Sequence, residues 1–186
     1  MKRHFALLLL PLVALLATPA FAQIAPPGVA TTNTPPNPNG AIAALHAIPA
    51  HFQSGIVKLS ADNANVNPRK WHISARDIDG GLRNFTISRG RVSDESSGIA
   101  QNLRAAITGS TSINLKKVKV DTMKLWHAAQ NYASGHGENP GTCSYALSQK
   151  GRGADPIWTV WVYTHHGHYL GTFQMLATTG AVISTN

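Results

Sequence analysis

The sequence predicts an α+β protein in which an antiparallel sheet packs on helices. Several short segments alternate apolar and polar residues with a period of two, and other segments repeat apolar residues at helical spacing. Glycine turns separate the alternating segments, as in hairpins. Five prolines make residues 23–40 an extended leader. The predicted parts are a signal peptide (1–22), this leader, and two halves at 41–110 and 111–186.

The N-terminus has the pattern of a secretory signal peptide. A basic patch, Lys2–His4, is followed by the apolar run Phe5–Ala17 and the small-residue pattern Ala20-Phe21-Ala22. The apolar run has thirteen residues and contains Pro11, whereas a membrane-spanning helix needs about 20 residues. We expect cleavage after Ala22, a secreted or periplasmic location, and no transmembrane segment in the mature chain.

The mature chain is basic. Cleavage removes two basic residues and leaves fourteen basic and eight acidic residues, a net charge of +6 in 164 residues. We therefore expect an acidic partner, either an envelope protein or an anionic cell-envelope polymer. The basic residues are scattered apart from Lys116, Lys117 and Lys119, which we interpret as the solvated face of a strand. A nucleic-acid partner is not expected.

The first half begins with a short helix and continues with a hairpin. The segment Ala41–Phe52 has apolar residues at roughly helical spacing, interrupted by Pro49. Trp71–Arg76 and Asn84–Ser88 alternate apolar and polar residues on either side of Asp79-Gly80-Gly81. Alternation around an Asp-Gly turn predicts a hairpin with one buried face.

The connection to the second half contains a predicted helix and a predicted strand. Ile99, Leu103 and Ile107 recur every four residues behind Ser93–Ser96, which has the composition of a helix start. Ile113–Val120 predicts a strand because its apolar residues alternate.

The second half predicts one helix and three strands. Asp121 and Thr122 are N-cap candidates for a helix that ends at Gly135. Gly167 marks the turn between the last two strands. The apolar stripe of the helix is Leu125, Trp126, Ala129, Tyr132 and Ala133, and the strands are Ser144–Ser148, Ile157–Thr164 and Tyr169–Ala177.

The two halves share a pattern that suggests an internal duplication. Trp71 and Trp158 are 87 residues apart, and the same spacing relates the turn glycines Gly80 and Gly167. The shared positions are Trp71 with Trp158, Ile73 with Val160, Ala75 with Val162, Gly80 with Gly167, Phe85 with Phe173, and Gly90-Arg91-Val92 with Gly180-Ala181-Val182.

This pattern resembles the PepSY and PepSY-like secreted domains of bacteria, in which a helix precedes antiparallel strands. The resemblance covers about residues 112–185 and, more faintly, 55–93. The first half is incomplete, because only Ser60–Val66 is available for a helix before Trp71. The resemblance implies a non-catalytic binding module, since PepSY domains are associated with restraining peptidases and with other envelope roles. It brings no catalytic residue to this chain.

Trp161 and Tyr163 are the candidate binding residues. Alternation in Ile157–Thr164 places Trp158 on one face of the strand and Trp161 and Tyr163 on the other. If Trp158 packs against the helix, the outer rings could stack on sugars or anchor a protein partner. The alternative is that another half or the N-terminal segment covers this outer face.

Metal binding and catalysis have weaker support. His165, His166 and His168 are imidazole ligands at close spacing, but a tight turn would splay them, so we expect no metal site and no cofactor. Cys143 is the only cysteine and has the surroundings of a small buried side chain. No catalytic motif is present, so the chain is not expected to be an enzyme. Two alternatives remain, an envelope polysaccharide-binding protein and an unrecognised secreted hydrolase.

Overall fold

The computed structural model describes residues 37–98 and 110–186. The predicted signal peptide, residues 23–36 of the leader and the predicted helix over Ile99, Leu103 and Ile107 lie outside the described residues.

In the described part of the chain, eight strands form one antiparallel sheet in the order β4-β3-β2-β1-β5-β6-β7-β8. The strands are β1 (Ile56–Ala64), β2 (Trp71–Arg76), β3 (Leu82–Ser88), β4 (Arg91–Ser97), β5 (Pro140–Ser148), β6 (Ile157–Thr164), β7 (Tyr169–Leu176) and β8 (Val182–Thr185).

The described helices are α1 (Ala41–Ala47), α2 (Ala50–Gln53) and α3 (Thr122–Gly135). Their buried side chains belong to one apolar cluster with the inward residues of the strands. The α+β class is therefore confirmed, although the sheet dominates. None of the described helices has the length and apolarity needed to cross a membrane.

Three predicted elements are wrong. Ser60–Val66 does not form a helix, because Ser60 to Ala64 belong to β1; the helical segments of this half lie upstream, in α1 and α2. Val57, Leu59 and Ala61 alternate with polar residues and are buried, which favours a strand. Ser93–Ser96 lies in β4 rather than at a helix start.

The third error concerns Ile113–Val120. This segment contains a 3₁₀ turn at Leu115–Lys117 instead of a strand. Its ends still pair with the fold, since Ile113 N donates to Ile56 O at 2.7 Å and Val120 N to Ala177 O at 3.0 Å.

The predicted hairpins are confirmed in position. β2 and β6 have the predicted bounds, and the turns between β2 and β3 and between β6 and β7 contain Gly80 and Gly167. These glycines have φ values of +83° and +80°, a backbone region that side chains with a Cβ disfavour.

The two central strands pair symmetrically. Ser60 of β1 faces Ala146 of β5, and on either side of this pair Leu59 faces Leu147 and Ala61 faces Tyr145. Outward from this centre, each side is a four-stranded meander, β1 to β4 or β5 to β8.

The register of the hairpins also corresponds. Ile73 faces Phe85 across β2 and β3, and Val160 faces Phe173 across β6 and β7. These two pairs were aligned with each other in the sequence.

The core crosses the boundary between the two meanders. Trp71 and Trp158 are 2 % and 0 % exposed, so their predicted burial is confirmed. The Trp71 ring lies 6.2 Å from the rings of both Trp158 and Tyr145. Aromatic contacts at this spacing stabilise packing in addition to the area that they bury.

The predicted N-cap residues Asp121 and Thr122 connect the starts of α1 and α3. Asp121 Oδ1 accepts a hydrogen bond from Thr122 N at 2.8 Å at the start of α3, and one from Ile42 N at 3.3 Å in α1. Thr122 Oγ1 accepts from Ala41 N at 3.0 Å. One Asp-Thr pair therefore caps two helices.

Candidate binding surface

The predicted candidates lie on the face of the sheet opposite the helices. In β6, Trp158, Val160 and Val162 are buried in the helix-bearing face, whereas Trp161 and Tyr163 are half-buried on the outer face. This division follows from the alternation of side chains along a strand. None of the helices in the described part of the chain covers the outer face.

A third ring joins them. Tyr169, at the start of β7, is 58 % exposed, and its ring centroid lies 5.8 Å from that of Tyr163. Its hydroxyl lies 2.6 Å from Thr172 Oγ1. We name Trp161, Tyr163 and Tyr169 the aromatic patch.

The sequence pattern did not identify Tyr169, because strict alternation along β7 does not place its side chain on the outer face. A register irregularity between Val162 and Tyr163 makes Tyr169 the partner of Tyr163. The available signal was its position directly after the turn that contains His165, His166 and His168 (the histidine turn), where a bulge at the strand end can redirect a side chain.

A shallow cleft of about 270 Å³ lies beside the aromatic patch. Trp161 and Tyr163 line it together with Lys58, Ser60 and Asp62 of β1. The cleft therefore offers flat rings, a cation, a hydroxyl and a carboxylate. Such a combination suits polar ligands that carry one flat apolar face.

A second concavity of about 510 Å³ lies on the helix-bearing side, between α3 and β7–β8. Phe173, Met175 and Ala128 supply its apolar part, and Lys124 and His127 lie at its helix side. No sequence pattern predicted it, because it depends on the lateral position of α3 over the sheet.

The histidine turn connects β6 and β7 as predicted. The rings of His165 and His166 are 3.7 Å apart between centroids, and those of His166 and His168 are 6.4 Å apart. All three side chains are exposed. Within residues 37–98 and 110–186, no three His, Cys, Asp or Glu side chains are grouped to hold a metal ion.

Cys143 lies in the inner face of β5 and is fully buried. Burial raises the pKa of its thiol from 9.0 to about 12, against a smaller opposing effect of the hydrogen bond to Tyr145. Because the thiolate is the reactive form, this side chain is a poor nucleophile at neutral pH.

Other charged side chains have structural partners. Asp77 Oδ1 and Asp79 Oδ1 accept hydrogen bonds from Ile78 N and Gly81 N at 2.7 and 2.9 Å, so they stabilise the β2–β3 turn. Lys117 pairs with Asp155 at 2.8 Å.

Comparisons with known proteins identify no relative. No protein-family model matches the chain, and no curated protein and no solved structure matches it either.

Proposed function

We propose that this chain is an extracytoplasmic, non-catalytic binding module, released from its signal peptide after Ala22, that docks an envelope protein through the aromatic patch. The observation that carries the proposal is the position of Trp161, Tyr163 and Tyr169 on a sheet face that no described helix covers. Protein interfaces concentrate their binding energy in such aromatic anchors, surrounded by polar side chains.

The PepSY-like interpretation of the sequence is part of this proposal. We infer that the two meanders, with α1–α2 before the first and α3 before the second, descend from one duplicated unit. Support comes from the symmetric β1–β5 register and from the equivalent pairs Ile73–Phe85 and Val160–Phe173. In this family, such a unit would regulate or inhibit an envelope peptidase or another envelope protein.

Affinity capture tests the protein-partner function. Mature chain is immobilised and incubated with the envelope fraction of its own cells, beside the variants Trp161→Ala and Tyr163→Ala. We expect one retained polypeptide whose amount falls about tenfold or more in either variant, as for interface anchors.

Trp126→Ala is the matched control, because Trp126 is a half-buried tryptophan of α3 that packs on the core of the helix-bearing side. Its capture should equal that of the parent chain, once thermal unfolding confirms that each variant is folded. Unchanged capture by Trp161→Ala would contradict the proposal.

A second function is binding of an anionic envelope polysaccharide. The observation that favours it is the cleft in which Trp161 and Tyr163 face Lys58, Ser60 and Asp62, on a mature chain of net charge +6. Rings stack on sugars, and the positive charge attracts acidic groups. This function predicts retention on purified cell-wall material that weakens with added salt, without a protein partner.

A further inference from the structure

Two adjoining cavities lie at one end of the sheet, beyond the aromatic patch. They measure about 520 and 460 Å³ and share Asn67, Arg69 and Lys70 of the β1–β2 loop. Arg89, in the β3–β4 turn, lines the first cavity, and His72 lines the second.

The first cavity is cationic. Arg69, Lys70 and Arg89 are exposed at its walls, and within the described part of the chain none of them forms an ion pair. Three positive charges in one concave site attract a ligand with an anionic group.

The site is held in shape by local contacts. Arg89 has φ +51°, and the neighbouring Gly90 is packed so closely that an added Cβ would lie 3.0 Å from Pro38 O. Asn39 O accepts from Trp71 Nε1 at 2.9 Å, which ties the segment before α1 to the core. A site fixed in this way loses less conformational freedom on binding.

Amide side chains supply the remaining polar lining. Asn67 Oδ1 accepts from Asn37 Nδ2 at 2.8 Å, and Asn65 Oδ1 accepts from Asn67 N at 2.9 Å. These contacts orient the amides of Asn65 and Asn67 through their carbonyl oxygens and do not use the NH₂ groups of these two side chains as donors. Amides both donate and accept, as sugar hydroxyl groups do.

The lining has little that would suit a peptide. Asn63 and Asn65 are exposed polar residues of the second cavity, whereas Ala64 and Pro68, the apolar residues of the two cavities, are buried. A peptide in this place would contact no exposed apolar residue of the lining.

The cavities continue into the cleft of the aromatic patch. Asp62 lines both the second cavity and that cleft, where Trp161 and Tyr163 lie. The path runs from β3 across β2, β1 and β5 to β6, four strand spacings, or about 19 Å. It is long enough for a chain of several sugar rings.

We propose that these three cavities form one binding track for an acidic oligosaccharide. An anionic sugar lies at Arg69, Lys70 and Arg89, the amides contact its hydroxyl groups, and further rings extend towards Trp161. The carboxylate of Asp62 accepts from hydroxyl groups between these two ends. The inference rests on the polysaccharide function proposed above and needs no protein partner.

Calorimetric titration tests the track. Mature chain is titrated at low salt with a galacturonic acid hexamer, with a neutral galactose hexamer and with poly-glutamate. We expect binding of the acidic hexamer, about tenfold or more weaker binding of the neutral one, and weaker binding of poly-glutamate.

The charge variants locate the site. Arg69→Ala/Lys70→Ala should weaken binding of the acidic hexamer about tenfold or more. Lys150→Ala/Arg152→Ala removes the same charge from the exposed β5–β6 loop at the opposite end of the sheet, and should change the affinity by about twofold or less. Equal losses in both double variants would overturn the track in favour of diffuse attraction.

Two further outcomes separate the proposals. Poly-glutamate binding as tight as that of the acidic hexamer would overturn the sugar assignment. Binding of both hexamers that depends on Trp161 but not on Arg69 and Lys70 would overturn the track and keep the polysaccharide function.

Trp161→Ala should weaken binding of the acidic hexamer and leave that of an acidic dimer unchanged.

Discussion

Trp71 and Trp158 occupy corresponding strands but differ in one hydrogen bond. Trp71 Nε1 donates to Asn39 O at 2.9 Å. Trp158 Nε1 is buried and has no hydrogen-bond partner within residues 37–98 and 110–186. A buried polar group without a partner costs about 1–3 kcal/mol, so the two indoles contribute differently to stability although both are core residues.

Phenylalanine substitutions test this difference. Both Trp71→Phe and Trp158→Phe lose ring volume, but only Trp71→Phe loses a hydrogen bond, which leaves the partly buried carbonyl of Asn39 without this donor. The free energy of unfolding, measured by urea denaturation, should fall about 1–2 kcal/mol further in Trp71→Phe. Equal losses would mean that the bond to Asn39 adds nothing.

Cys143 should make stability depend on pH in the alkaline range. Its folded pKa is about 12, raised from 9.0 by burial. Between these values the thiol of the unfolded chain ionises while the folded one stays protonated, so this part of the stability is complete below pH 9 and is lost as pH rises towards 12. The loss approaches about 1.4 kcal/mol per pH unit.

The comparison of parent chain with Cys143→Ala isolates this effect. The difference in unfolding free energy between the two should change between pH 8 and pH 11, while the contributions of titrating groups other than Tyr145, whose pKa Cys143 also raises, cancel. A difference that stays constant would show that the folded thiol ionises as it does in the unfolded chain.

The burial of single side chains could be predicted from the local sequence pattern where the strand is regular. Alternation predicted that Trp158 is buried and that Trp161 and Tyr163 face outward. Tyr169 escaped prediction because its direction depends on a register irregularity between β6 and β7. Cavities beside Arg69 and Arg89 depend on two turns that are distant in sequence.

At the scale of elements, the most informative contact is the shared cap. Asp121 and Thr122 satisfy backbone donors of α3 and also those of Ala41 and Ile42 in α1. The start of a helix leaves unpaired N–H groups, and here one carboxylate serves two starts. Helices from the two halves are thereby fixed to each other.

Removal of this carboxylate should be costly. Asp121→Ala should lower the free energy of unfolding by about 1–3 kcal/mol, more than a single cap of about 1 kcal/mol. Asp155→Ala is the control, because it removes an exposed partner of Lys117 and should cost about 0–1 kcal/mol. Equal losses in urea denaturation would argue against a shared cap.

The type of an element, helix or strand, could be predicted where its sequence pattern was long. It was predicted wrongly where the pattern was short. β2 and β6 have the predicted bounds, and α3 begins and ends as predicted. The family pattern left only Ser60–Val66 available for a helix before Trp71, although Val57, Leu59 and Ala61 alternate with polar residues. In the irregular connection Ile113–Val120, the side chains of Ile113, Val118 and Val120 are buried in the core. The spacing of its apolar residues resembles the alternation of a strand.

At the scale of the whole molecule, the sheet joins the two halves. β1 and β5 pair at its centre, and no local signal predicts which strands of two meanders will meet. The sequence therefore predicted the hairpins but not the strand order. The same joint brings Trp71 against Tyr145 and Trp158, so the core is a property of both halves together.

The halves should therefore not fold alone. A chain of residues 37–110 would expose the edge of β1 and the face of Trp71, and a chain of residues 111–186 would expose β5, Tyr145 and Trp158. We expect neither to unfold cooperatively or to give a dispersed amide NMR spectrum, whereas residues 37–186 should do both. Cooperative unfolding by either half would contradict this, because each meander would then be a domain that merely docks on the other.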